Sequence, residues 1–254
     1  MTIEEILRSR PELAGENAGD YIQHTNPDRN PGGWRHKTAI IGEGVFIGKD
    51  SVIMANARMG NGSMMGNFST MGNRSMMGDN STMGDCCTMG DHSSMGVGST
   101  MGKSSLMGDH STMGIGSRMG EYSRMGHRSR MGDDSLMDDY STMGDYSTMG
   151  DGSTIGVGST MGVGSTMGDG STMGVGSTMG VGSTMGDDSR MGNDSTMGDR
   201  STMEPGSSMG DLQGLSAGAT LTVSSRGSVA AQDVKGQSTQ AGPELRTDRS
   251  AGGK

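Results

Sequence analysis

A six-residue repeat runs through this chain from Ile41 to Met209 without a change of phase. Its most regular copies read Gly-Val-Gly-Ser-Thr-Met and Gly-Asp-Gly-Ser-Thr-Met, so one apolar residue returns at every sixth position. Glycine follows that apolar residue in almost every copy, and a small residue, usually serine, stands two positions before it. One hexad cannot bury its own apolar side chain, so the repeats must stack on one another. The period therefore predicts a solenoid.

The hexad resembles the repeat of the left-handed parallel β-helix family, which includes the hexapeptide acyltransferases. The stretch from Ile41 to Ile53 carries this likeness most clearly, and the repeat extends over about two thirds of the chain. In that family each hexad supplies one strand and one corner, and three hexads form a triangular coil. The resemblance therefore implies an all-β fold, a single-stranded left-handed parallel β-helix with about 18 residues per coil.

A second period, three times as long, supports the triangular coil. Residues 151–168 recur at 169–186 with one change, Ile155 to Met173. Every third corner carries Gly, Asn or Asp, the residue types that best tolerate positive φ, whereas the other two corner columns contain them less often. The sequence thus predicts that the three corners of one coil differ. Deleting one hexad would shift every later corner by one face, and is predicted to be more damaging than deleting a whole coil.

The alternation of side chains along a strand assigns an inside and an outside to each hexad. In Ser-Thr-Met-Gly, serine and methionine face inward, while threonine and glycine face outward. Methionine fills every inward apolar position from 59 to 209 except Ile155. Because methionine fills irregular gaps in a dry interior, we interpret it as core rather than as a copper-binding array. The outward threonines form ladders, here represented by Thr142, Thr148, Thr154, Thr160, Thr166, Thr172, Thr178 and Thr184.

Composition agrees with a rod and disfavours several classes of protein. Aromatic residues are 3% of the chain and Gly accounts for 48 of its 254 residues. No apolar run approaches the ~18 residues of a membrane-spanning helix, and a net charge of −9 argues against general affinity for nucleic acid. The first residues lack the apolar segment of a secretory signal peptide. We therefore expect a cytoplasmic or virion-associated protein that uses no cofactor.

Three segments are expected along the chain. Residues 1–37 read as an N-terminal helix and capping lead-in, because Thr2 and Glu5 fit a capping box and the following positions are rich in turn residues. Residues 38–224 form the β-helix. Residues 225–254 lose the period and are predicted to be a flexible tail.

Two features are candidates for contact with a partner. The only tryptophan, Trp34, is predicted to cover the open end of the rod, where a terminal coil would otherwise expose an unpaired strand edge, and a partner contact is the alternative. Arg118, Arg124 and Arg130 replace the outward threonine on three consecutive faces, and with Arg128 they form a basic girdle. We interpret the girdle as a solvated device against sheet stacking, with docking of an anionic partner as the alternative.

One corner carries residue types that bind metals. His92 and His110 are one coil apart and should stack, His127 follows one coil later and one place earlier, and Asp91 and Asp109 precede the first two. Imidazoles from successive coils could share a metal ion oriented by the carboxylates. The competing interpretation, which we favour, is that corner side chains are exposed and variable, so no metal site is predicted.

The two cysteines are adjacent, which makes a bond between them strained. Cys87 stands at the inward small position and should be a buried thiol, whereas Cys86 should be exposed on a corner. This usage fits a reducing compartment.

Three classes of function remain open. We favour a structural or interaction rod without catalysis that associates with itself or with a protein partner. The resemblance implies an acyltransferase as the first alternative, with a His base such as His92 or His110 in a cleft between subunits, a trimer, and an inserted loop that the hexads here lack. The second alternative is ice binding, since the threonine ladders resemble the ice face of insect antifreeze β-helices, although those present Thr-Xaa-Thr where this chain has Thr-Met-Gly.

Overall fold

The computed structural model describes residues 1–223 and 229–233. The chain begins with helix α1 (Ile3–Ser9), whose N-terminus is closed by the predicted capping box between Thr2 and Glu5. Two short 3-10 turns follow at Pro11–Leu13 and Ala18–Asp20. Strands β1 (Tyr21–Thr25) and β2 (Pro31–His36) then form an antiparallel hairpin.

A regular series of two-residue strands follows, each beginning six residues after the previous one. The strands are β3 (Ile40–Ile41), β4 (Phe46–Ile47), β5 (Val52–Ile53), β6 (Arg58–Met59), β7 (Met64–Met65), β8 (Thr70–Met71), β9 (Met76–Met77), β10 (Thr82–Met83), β11 (Thr88–Met89), β12 (Ser94–Met95), β13 (Thr100–Met101), β14 (Leu106–Met107), β15 (Thr112–Met113), β16 (Arg118–Met119), β17 (Arg124–Met125), β18 (Arg130–Met131), β19 (Leu136–Met137), β20 (Thr142–Met143), β21 (Thr148–Met149), β22 (Thr154–Ile155), β23 (Thr160–Met161), β24 (Thr166–Met167), β25 (Thr172–Met173), β26 (Thr178–Met179), β27 (Thr184–Met185), β28 (Arg190–Met191), β29 (Thr196–Met197), β30 (Thr202–Met203), β31 (Ser208–Met209) and β32 (Gly214–Leu215). A longer antiparallel pair, β33 (Ala219–Val223) and β34 (Val229–Asp233), comes last.

The strands stack into three parallel sheets, because each one pairs with the strand three places earlier and the strand three places later. Face I runs from β3 through β6 to β33 and β34, and face II runs from β4 through β7 to β31. Face III begins with β1 and β2, continues through β5 and β8, and ends at β32. The pairing confirms the three-sided coil and its eighteen-residue repeat. Twelve strands at about 4.8 Å spacing give a rod about 50 Å long.

The corners between the faces all have the same backbone conformation. In every hexad from Ile41 to Leu215 the residue three places after the inward apolar residue has positive φ, whether it is Gly176 (φ 66°), Tyr122 (φ 55°) or Arg128 (φ 55°). The prediction that the three corners of one coil differ is therefore wrong. Residue type misled it, because the stacked coils hold even bulky residues in a left-handed conformation that is unfavourable by roughly 1–2 kcal/mol each.

The interior is built as the alternation predicts. The inward methionines from Met59 to Met209 are at most 5% exposed, and the serines two places before them are equally buried. Most of those serine hydroxyls donate to a backbone carbonyl in the next coil, as Ser165 does to Gly180 at 2.7 Å. Since every buried side-chain N or O atom in the described residues has a hydrogen-bond partner, serine brings no unsatisfied polar group into the core.

The glycine that follows each methionine is required by the close approach of coils. A Cβ atom at Gly66 would lie 2.5 Å from the backbone nitrogen of Asp85 and 2.5 Å from the carbonyl carbon of Gly84, both in the next coil. These atoms are backbone and cannot move aside alone. Glycine at this place therefore reports coil stacking, which explains why it recurs in nearly every hexad.

The N-terminal end of the rod is closed by the hairpin and the loop within it. The buried Asn26 side chain accepts a hydrogen bond from the Ile47 N–H (2.9 Å) and donates one to the Ile47 carbonyl (3.2 Å), so an amide group replaces a strand at the edge of face II. Trp34 lies on β2 opposite Val52. Its ring is half-buried against the cluster formed by α1, Val52 and Met54 on the outside of face III, rather than over the open end of the rod.

At the other end, β34 pairs with β33 and extends face I. This strand lies within the segment predicted as a flexible tail. The rest of that prediction concerns residues 224–228 and 234–254, which lie outside the described residues. None of the helices in the described part of the chain has the length and apolar character that a membrane crossing requires.

Candidate functional site

The predicted threonine ladder divides among the three faces. Thr142, Thr160 and Thr178 are successive partners on face III, Thr148, Thr166 and Thr184 on face I, and Thr154 and Thr172 on face II. Five of the eight are exposed, and Thr142 and the two on face II are half-buried. Partner strands stand about 4.8 Å apart, so each face carries a straight column of hydroxyl and methyl groups.

The three outward arginines of the basic girdle lie on three different faces of the rod. Arg118 lies on face II, Arg124 on face III and Arg130 on face I, and all three are exposed. Arg128 occupies the corner between faces III and I, where it lies over the Tyr146 ring at 5.7 Å from the centroid. Within the described residues, none of these four arginines forms an ion pair. The side chains point away from one another around the rod, so they do not converge on one small anion.

The histidine corner brings two of its three predicted members together. The rings of His92 and His110 stack in parallel, with centroids 4.8 Å apart and planes 6° apart. His127 belongs to the neighbouring column: its Nδ1 accepts the Asp109 N–H at 3.1 Å and lies 3.6 Å from Asp109 Oδ2. In the part of the chain that the structure describes, no three His, Cys, Asp or Glu side chains are arranged to hold a metal ion.

A shallow depression of about 350 Å³ runs beside this corner on face III. Gly90, Gly108 and Gly126 lie along it, with Leu106, Arg124, Asp109 and His127 among the flanking residues. An imidazole, a carboxylate and a guanidinium thus border the same concave surface at this place.

Carboxylates at the corners have a structural role that the sequence analysis missed. The side chain two places after the inward residue accepts the backbone N–H of its counterpart in the preceding coil, as Asp151 Oδ1 does from Asp133 (2.8 Å) and Asp169 Oδ1 does from Asp151 (2.9 Å). Such bonds to a charged acceptor stabilise one coil on the next. The signal was present in the sequence, since Asp or Asn fills this place in most hexads.

Four exposed valines lie close together on the surface, and the sequence analysis also did not single them out. Val157 and Val175 occupy the Asp position on the corner between faces II and III, and Val163 and Val181 occupy it on the corner between faces III and I. They flank Thr160 and Thr178 on face III. The Gly-Val-Gly-Ser-Thr-Met copies of the hexad are the sequence signal for this patch.

The two cysteines differ in exposure as predicted, with Cys86 exposed and Cys87 buried. Burial raises the pKa of the Cys87 thiol to about 11. We expect iodoacetamide at pH 8 to alkylate Cys86 in the folded protein and to spare Cys87, because thiolate is the reactive form. Peptide mass spectrometry after timed labelling checks this. Equal labelling rates in the folded protein would contradict it, and denatured protein, in which both thiols react, is the control.

Sequence and structure comparisons place this arrangement among known folds. Residues 38–73 match the family model of the bacterial transferase hexapeptide (six repeats). The match covers the start of the repeat, and the hexads stacked into three parallel sheets continue the same repeat from Ile40 to Leu215. The chain is a hexapeptide-repeat left-handed β-helix protein. No curated protein sequence matches it.

Solved structures similar to this hexapeptide-repeat protein include acyltransferases. The structure of UDP-N-acetylglucosamine O-acyltransferase (LpxA) from Moraxella catarrhalis RH4 is 14% identical with a TM-score of 0.56, over 78% of this chain and 73% of that chain. LpxA from Bacteroides fragilis 9343 is 16% identical with a TM-score of 0.36 over 78% and 71%, and UDP-N-acetylglucosamine acyltransferase from Campylobacter jejuni is 16% identical with a TM-score of 0.33 over 78% and 73%. The likeness to the Moraxella protein is one of fold.

Proposed function

We propose that this hexapeptide-repeat protein acts as a non-catalytic rod that presents flat faces to a protein partner or to further copies of itself. The observation that carries the proposal is the uninterrupted succession of strands: from Ile40–Ile41 to Gly214–Leu215 each strand begins six residues after the last. Catalysis requires a water-excluding concavity with positioned groups. Two-residue strands joined by equivalent corners make largely flat faces instead, and the depression beside His127 on face III is shallow.

The uniform core supports the same proposal. Successive coils repeat the same serine-to-carbonyl bonds and the same inward methionines, so stability is distributed along the rod through neighbouring coils. A solenoid of this kind keeps its outer side chains at fixed spacing. That property suits a spacer or an assembly scaffold, in which the partner reads a surface rather than enters a pocket.

Acyl transfer is the second candidate, and the depression on face III is the observation that favours it. His127 and Asp109 meet at its edge, and Arg124 lies beside them. A neighbouring subunit packed on this face would deepen the concavity around His127, with His110 on the adjacent column. The Moraxella structure named above is an acyltransferase, and fold alone does not transfer its activity.

The test measures acyl transfer directly. Purified protein is incubated with acetyl-CoA and with a long-chain acyl-CoA in the presence of UDP-N-acetylglucosamine, and products are followed by mass spectrometry. We expect no acyl product above the protein-free control and no saturable CoA binding by calorimetry. Product that depends on the protein, and that disappears in His127→Ala or His110→Ala while Thr184→Ala retains it, would replace the rod with the transferase.

Ice binding remains the third candidate, because the columns of exposed threonine are straight on faces I and III. Each two-residue strand offers at most one threonine. Arg124 interrupts the column on face III and Arg130 the column on face I, and Arg118 and Arg190 interrupt the column on face II. A thermal-hysteresis measurement decides this candidate, and we expect no hysteresis.

A further inference from the structure

The exposed valines lie on face III, in the two coils that contain Thr160 and Thr178. Face III carries no charged residue in those two coils. Val157 is 37% exposed, Val163 46%, Val175 49% and Val181 50%, and with Thr160 and Thr178 they form two rows of Val-Thr-Val across face III. We call these six residues the valine–threonine patch. Its other surface groups in these coils are glycines. Faces I and II share a corner that carries Asp151 and Asp169 at the same level of the rod, so each of them has an acidic edge there.

Charged and aromatic residues border the patch at both ends of the rod axis. The coil before the patch carries Tyr140, Asp145 and Tyr146, and the coil after the patch carries Asp194, Asp199 and Arg200. An uncharged centre with a polar rim is the usual plan of a protein interface. Isolated exposed valines need no explanation, but a contiguous apolar area rimmed by polar groups marks an interaction site.

From this uncharged centre and polar rim we propose that the valine–threonine patch binds a second copy of the same chain. The two rods are antiparallel, and the two-fold axis that relates them lies in the plane of face III, between Thr160 and Thr178. This names the partner for the rod proposed above and rests on that proposal. The axis places Thr160 against Thr178 of the partner subunit and Val157 against Val175 of the partner subunit. Both rows of the patch are then covered by apolar groups, as an isologous interface requires.

The rim supports the antiparallel direction. The same axis places Tyr146 against Arg200 of the partner subunit, a pairing already made within the chain by Arg128 and Tyr146. It also places Tyr140 against Asp194 of the partner subunit, where a phenol can donate to a carboxylate. One like-charge pair remains, Asp145 against Asp199 of the partner subunit, and it lies beside Arg200 of the partner subunit. A parallel arrangement would pair Asp194 with Arg200 of the partner subunit, but it would also set Asp139 against Asp145 of the partner subunit in a coil that has no arginine at either corner of face III. Its like-charge contact is therefore uncompensated, whereas the one in the antiparallel arrangement lies beside an arginine.

The size of the patch sets the strength of the contact. Four coils, from Thr142 to Thr196, extend about 19 Å along the axis when boundary strands are counted, and six residues at about 3.3 Å each make the face no wider than about 20 Å. The contact therefore covers about 400 Å² per copy, half the roughly 800 Å² of a standard interface. We accordingly expect a weak dimer, with a dissociation constant in the micromolar to millimolar range.

The experiment is sedimentation equilibrium of the full chain over a wide concentration range. Thr178→Arg is expected to raise the dimer dissociation constant roughly tenfold or more, because it places a guanidinium in the uncharged centre. Thr172→Arg and Thr184→Arg are matched controls on faces II and I and should leave dimerisation unchanged. Arginine already occupies this strand position at Arg118, Arg124, Arg130 and Arg190, so the fold tolerates it; circular dichroism of each variant verifies this.

A pair of double variants tests the direction of the rods. In the antiparallel dimer, Thr160→Glu with Thr178→Arg brings each glutamate against the arginine of the partner, so dimerisation should persist at low salt. Thr160→Arg with Thr178→Arg brings like charges together and should abolish it. In a parallel dimer both double variants oppose like charges, and both would lose dimerisation.

Several results would overturn the inference. These are a wild-type chain that stays monomeric at millimolar concentration, equal weakening by all three single variants, and loss of the dimer in both double variants. If the chain is monomeric and shows thermal hysteresis that Thr178→Arg abolishes, the patch binds ice rather than a second copy. If the chain is monomeric and shows no acyl transfer, the dimer interface is wrong and the proposed non-catalytic rod is retained. If the chain dimerises and transfers acyl groups, the interface is retained and the non-catalytic rod is wrong.

Discussion

Replacing Met167 with aspartate is expected to unfold the coils around it, whereas replacing its neighbour Thr166 with aspartate leaves the rod intact. Met167 is 1% exposed and faces the interior, and Thr166 is exposed on face I. A carboxylate in that interior would have no cationic partner, and a lone buried charge destabilises a fold by about 3–5 kcal/mol or takes up a proton instead. Far-ultraviolet circular dichroism during urea titration measures the difference between the two variants.

The matched control for this experiment is Met167→Ile. Isoleucine already occupies an inward position at Ile155, which is fully buried, so the core accepts its shape. We expect Met167→Ile to unfold within about 1.5 kcal/mol of the wild type, in the range of conservative core exchanges. Equal destabilisation by Met167→Asp and Thr166→Asp would contradict the assignment of inside and outside.

Deleting residues 169–186 is expected to give a folded rod that is one coil shorter. The strands on either side of the deletion then meet new partners in the same register, because each column continues with one outward and one inward residue of the same phase. Deleting residues 169–171 alone should prevent the downstream coils from stacking, since it moves later methionines off the inward phase. Small-angle scattering measures the length, and about 5 Å should be lost in the first case.

A six-residue deletion, residues 169–174, distinguishes two descriptions of the corners. The residue types at the corners predicted that this deletion would be more damaging than removal of a whole coil. Since all three corners have positive φ, the structure changes that expectation: the downstream coils should rotate by one face and stack again. If the six-residue deletion unfolds the chain and the eighteen-residue deletion does not, the corners are not equivalent in energy despite their common conformation.

Prediction of the fold from this sequence succeeds because its strongest signals are local and repeated. The hexad places methionine and serine inside, and the identity of residues 151–168 with 169–186 at all but one position gives the number of faces. The capping box of Thr2 and Glu5 also needs only neighbouring residues and is present in the structure. Candidate sites are harder to predict, because their side chains belong to different coils and their mutual positions depend on column and face.

The histidines show that difference. The spacing of His92 and His110 predicts the stack that the structure contains, since residues one coil apart share a column. The spacing does not reveal that His127 leaves that column and meets Asp109 instead. For Trp34, the sequence predicts an end cap, but the ring packs on the outer side of face III because α1 folds back along that face and supplies an apolar cluster.

The sequence by itself determines the three-sided coil, the methionine core and the outward threonines, because a period of six and an alternation of two leave one way to bury the apolar residues. Only the tertiary structure decides which side chains are neighbours on the surface. All three corners of each coil have the left-handed backbone conformation, although the residue types predicted it for only one of them. Stacking on the next coil outweighs the conformational preference of the individual corner residue. The tertiary structure also gathers Val157, Val163, Val175 and Val181 around Thr160 and Thr178, because residues six and eighteen apart become neighbours only when the chain has wound into coils.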